Sequence, residues 1–97
     1  MDYTEVFVFH EDTEVERENK NEVFIALNEK DLREISLGAK VFKNRKMDGK
    51  DITFMFGLST PKKRFAHDPS WKNLYGMVLT EDNIQRLRKK SVFEWII

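Results

Sequence analysis

Ninety-seven residues, 40 % hydrophobic and 35 % charged, suffice for one domain with one core and no more. The lack of cysteine excludes disulfides and thiolate metal sites, and no apolar run nears the roughly 20 residues that span a bilayer. The formal net charge is zero, yet residues 1–39 carry eleven carboxylates against four basic side chains and residues 40–97 six against thirteen. A chain so polarised can steer a partner, mate with a second copy, or neutralise itself on folding. Asp2 and Glu5 stand where a signal peptide would carry positive charge, so the chain reads as soluble and cytoplasmic.

The first predicted strand is Val6-Phe7-Val8-Phe9, apolar on both faces. Residues 10–21, HEDTEVERENKN, follow as an acidic loop. It is either a solvated connection or an arm in which Glu11, Asp12, Glu14, Glu16 and Glu18 occupy a basic surface on a partner, as a phosphate backbone would. A six-residue apolar strand then ends in Leu27, and Asn28 is well suited to cap a helix of about ten residues, with Glu29 and Asp31 in its first turn and Leu32 and Ile35 facing inward. Gly38 ends it in the left-handed conformation. A strand from Val41-Phe42 leads to Asp48-Gly49, a strong two-residue hairpin signal, and back into Ile52-Thr53-Phe54-Met55-Phe56.

Residues 59–73, STPKKRFAHDPSWKN, form a second long loop of opposite sign. Lys62, Lys63, Arg64 and Lys72 alternate with Phe65, His67 and Trp71. Cations that hold phosphates beside aromatics that stack bases make a single-strand nucleic-acid site; alternatively the aromatics pin the loop onto the core. Residues 74–79 repeat the strand that ends in leucine, Thr80 repeats the cap, Glu81 and Asp82 the acidic first turn, and Ile84 and Leu87 the inward positions. Arg86, Lys89 and Lys90 add a basic cluster near the helix end, followed by Val92-Phe93 and a strand containing Trp95 that is expected to be paired and buried.

The pattern predicts an α+β domain of two pseudo-repeated ββαβ units, residues 1–47 and 51–97, with about six strands and two short helices. Two helices cover one face of a six-stranded sheet; the other needs a partner, a second copy, or closure into a barrel. No phosphate loop, nucleophile elbow or EF-hand spacing is present, so no cofactor, metal or catalytic residue is assigned. The expected function is a small non-enzymatic binding or regulatory protein acting by protein–protein contact, an inhibitor of a nucleic-acid-handling enzyme among the options, with a homodimer as a further expectation. The alternative is nucleic-acid binding through Lys62, Lys63, Arg64, Trp71, Arg86, Lys89 and Lys90. A third reading is a metal-independent nuclease using His10 and His67 as acid and base.

Overall fold

The computed structural model describes residues 5–15, 22–47, 49–59 and 74–96. The elements run β1 (Glu5–His10), β2 (Glu22–Leu27), α1 (Glu29–Ser36), β3 (Val41–Met47), β4 (Lys50–Gly57), β5 (Leu74–Val78), α2 (Glu81–Arg88) and β6 (Phe93–Ile96). This is the expected ββαβ order, twice over. Each helix has eight residues rather than about ten. Both begin with a reciprocal capping box, Asn28 with Asp31 and Thr80 with Asn83.

The strands do not form one sheet. They form two three-stranded sheets, ordered β2-β1-β6 and β3-β4-β5. Within each, the central strand pairs in parallel with one neighbour and antiparallel with the other. The third strand of each unit has crossed to the other unit's sheet. β3 pairs with β4 across a turn at Gly49, whose φ of +77° is a conformation that glycine adopts without steric cost. β6 returns to pair with β1, setting Trp95 opposite Val6 and Phe93 opposite Val8.

The register repeats as faithfully as the order. Val6 lies beside Val23 and Val8 beside Ile25; their counterparts are Phe54 beside Tyr75 and Phe56 beside Met77. Val8 faces Phe93 as Phe56 faces Val41. The two-fold therefore matches Val41 with Phe93, one residue away from the Val41-Phe42 and Val92-Phe93 match that the sequence suggests. Gly38, at φ +95°, corresponds to Lys90, at φ +73°, the one non-glycine residue with positive φ among those described. Both helices thus end in the same left-handed turn, although only the first uses glycine for it. The axis passes between the helices: Arg88 on α2 reaches Glu29 on α1, and at the symmetric place Ser36 on α1 reaches Glu81 on α2.

The two sheets and two helices enclose one core. Val6, Val8, Ile25, Leu27, Leu32 and Ile35 from the first unit meet Phe54, Phe56, Leu79, Ile84 and Leu87 from the second, all fully buried. The small valines of β1 occupy places that β4 fills with phenylalanine, so bulk and gap interleave across the pseudo-axis. β6 is paired as expected, but Phe93 and Trp95 are only partly buried against this core. Among the described residues no helix is long and apolar enough to cross a membrane.

Candidate protein-docking surface

The two sheets differ most on their outer faces and at the β2 and β5 edges. In the first sheet Phe7 and Phe24 stack with ring centroids 5.2 Å apart, and Phe9 meets Phe24 edge-on at 6.3 Å. Phe24 is buried there, and so are Val23 and Ile25 beside it on β2. These rings close the outer face over the β2 edge.

The matching places of the second sheet hold smaller side chains. The two-fold places Met55 where the first sheet has Phe7, Gly57 where it has Phe9, and Gly76 where it has Phe24. Phe42, Met55 and Gly76 form one row across this outer face, and Asn44, Thr53 and Leu74 the next. The Lys40 stem lies over Gly57, where an added Cβ would come within 2.6 Å of it, and its ammonium is held by the Ser59 carbonyl and hydroxyl at 2.9 and 3.0 Å. On this outer face Phe42 is 46 % exposed, Val78 38 %, and Gly76 is exposed as well, while Tyr75, on the other face of β5 where it stacks on Phe54, is 40 % exposed.

The edge itself has a defined polarity. The Leu79 N–H donates to the Gly57 carbonyl at 2.9 Å. Backbone groups in a ladder alternate in direction, so Met77 and Tyr75 also address β4, while Leu74, Gly76 and Val78 offer N–H and C=O outward. Natural edge strands are normally blunted by charge, proline or a covering element. β5 reads LYGMV, with neither charge nor proline. Sequence reasoning passed over this strand: its uncharged composition is a signal that buried strands share, and only the exposure distinguishes an open edge.

The predicted charged residues are spread more widely. Glu11, Asp12 and Glu14 are exposed on the turn after β1, while Glu16 and Glu18 lie outside the described residues. So do Lys62, Lys63, Arg64, Phe65, His67, Trp71 and Lys72, and with them the expected aromatic–basic loop and one member of the His10–His67 pair. Arg86, Lys89 and Lys90 are exposed at the end of α2, but Arg86 already holds Asp82 at 2.7 Å. Among the described residues, ion pairs join the acidic and basic halves inside the molecule: Lys43 with Asp31 at 3.0 Å and Arg88 with Glu29 at 2.7 Å. The opposite charges are thus partly neutralised within one chain.

His10 is buried where β1 meets the turn. Its Nδ1 accepts the Asp12 N–H at 3.1 Å, and its Nε2 lies 3.7 Å from Glu29 Oε2. Among the described residues no group of His, Asp and Glu is arranged to hold a metal ion. Arg88 donates to Glu29 and holds its carboxyl below the ordinary value of 4.5, with smaller help from the charges of Arg88, His10 and Arg33, against a desolvation cost that raises it. A depressed carboxyl stabilises the fold above its unfolded value and loses that contribution as pH falls through the folded value. Replacing Arg88 with glutamine should cost about 0.2–1 kcal/mol at neutral pH, since the pair is half exposed. It should also flatten the acid limb of the stability profile below about pH 5. Urea titrations at several pH values check this; an unchanged acid limb refutes it.

Comparison with known protein families, curated proteins and solved structures returns no match.

Proposed function

We propose that this protein is a small non-enzymatic binding module, an inhibitor or regulator that acts by protein–protein contact through its second sheet. One observation carries the reading: a chain that is 35 % charged leaves β5 wholly uncharged, with Tyr75, Gly76 and Val78 exposed and the backbone groups of Leu74, Gly76 and Val78 directed away from β4. Such an edge adds a strand from another polypeptide, with main-chain bonds supplying affinity and alternate side chains supplying selectivity. Val78 and Leu74 extend the contact onto the outer face, and Lys40 sets a polar rim. The exposed carboxylates Glu11, Asp12 and Glu14 suit a partner with a basic surface, such as a nucleic-acid-handling enzyme, and would speed encounter more than they hold the complex.

Nucleic-acid binding has weaker support, because Arg86, one of its expected contacts, already holds Asp82. The test is affinity capture from cells of the source organism with the wild-type chain and Val78→Glu side by side. A partner retained by the first, lost by the second and recovered in a purified binding assay supports the reading. Equal retention by both, with the fold intact, overturns it. Gel retardation of labelled RNA or DNA at low salt by the wild-type chain would favour the alternative.

A further inference from the structure

We infer that the occupant of the β5 edge is the β5 edge of a second copy, joined across a two-fold axis at Gly76. This rests on the reading of the second sheet as a docking surface and names its partner.

The strand is complementary to itself. Antiparallel pairing centred on Gly76 sets Leu74 of one copy opposite Val78 of the other, and the reverse. The residues thus brought together as hydrogen-bonded pairs are Leu74, Gly76 and Val78, whose backbone groups already face outward. Each outward N–H and C=O then finds a partner, at the roughly 5.5 Å Cα spacing of such pairs. Gly76 lies on the axis, where two side chains would crowd each other and glycine presents none. Leu74 and Val78 make an apolar cross-strand contact on each side of it, on the outer face.

Charge agrees. β5 carries none, so two copies of it do not repel. Net charge zero on each chain leaves no long-range barrier. The interface is isologous and closes at two copies, so it does not propagate into a fibre. The β2 edge offers no equal site, because Phe24 and its neighbours are buried.

Sedimentation equilibrium over a concentration series tests this together with amide exchange. The wild-type chain should move from 11.6 kDa to twice that mass as concentration rises, and Gly76→Lys, which sets two ammonium groups on the axis, should remain at the lower mass with an unchanged circular dichroism spectrum. Should that variant fail to fold, exchange in the wild-type chain decides. Leu74, Gly76 and Val78 amides should gain protection with concentration, while Tyr75 and Met77 should not. A wild-type chain that stays monomeric at about 1 mM, a dimer that survives Gly76→Lys in folded form, or protection without this alternation each overturns the inference. A monomer whose partner capture is nevertheless abolished by Gly76→Lys assigns the edge to a foreign strand and leaves the protein-binding reading standing. A monomer whose capture is indifferent to that substitution overturns both.

Discussion

Phe56→Ala should lower the stability of this protein by about 3–5 kcal/mol, the cost of emptying a fully packed aromatic site. Phe56 has no exposure, sits on the central strand of the second sheet, and is flanked by Val41 on β3 and Met77 on β5. It therefore belongs to both units at once, since β3 comes from the first and β5 from the second. A domain of this size has a total stability of about 5–15 kcal/mol, so the variant should be substantially unfolded in mild urea. The counterpart Val8→Ala removes far less volume from the symmetric place and should cost clearly less. Urea denaturation followed by circular dichroism measures both. Equal losses from the two substitutions would mean that the core does not interleave large and small residues as described.

The second large effect is expected at Asp31. Its carboxylate accepts the Asn28 N–H at 3.0 Å, closing the cap of α1, and also holds the Lys43 ammonium at 3.0 Å, tying that helix to β3. The Asp31 side chain is only 12 % exposed and that of Lys43 only 25 %. Alanine here leaves the lysine without its carboxylate in a partly buried place and the helix without half its capping box. The cost should be about 2–3 kcal/mol, below that of a fully buried pair because Lys43 still reaches water. Asn83 is the symmetric residue and closes an equivalent cap, but the place of Lys43 is taken by Trp95, which offers no ammonium. Asn83→Ala should cost about 1 kcal/mol. Thermal melts of the two variants give the comparison, and a difference of less than the error would show that the Lys43 pair contributes nothing.

Much of this fold is legible in the sequence because short-range chemistry dictates it. Asn28 and Thr80 cap, Gly38 and Gly49 take positive φ, and Leu32, Ile35, Ile84 and Leu87 recur at helical spacing. The sheet arrangement is not local. An alternating apolar strand such as Val6-Phe7-Val8-Phe9 states that both faces need cover, but not which strand lies beside it. That choice is made by pairings of long sequence separation, Val6 with Trp95 above all, which fix two sheets where one was expected. The candidate site was hidden for a related reason. Charge and aromatic residues stand out in a sequence, and they pointed to the loops; an uncharged LYGMV looks like ordinary core until Tyr75, Gly76 and Val78 are seen at the surface. Glu29 and Arg88, one from each half of the charge asymmetry, meet because the helices cross at the pseudo-axis, which no spacing rule reveals.

The crossing of β3 and β6 between units has a consequence for how the molecule can be cut. β6 runs antiparallel beside β1, with Ile96 in register with Glu5, just as β3 runs beside β4 with Met47 in register with Lys50. A tight turn from β6 into β1 would be the symmetric mate of the turn at Gly49. Joined there, the polypeptide is a ring with two equivalent corners, and opening the other corner yields the same ββαβ order with its units exchanged. A circular permutant beginning at Gly49 thus asks nothing new of the architecture, whereas either unit on its own lacks the strand that completes its sheet.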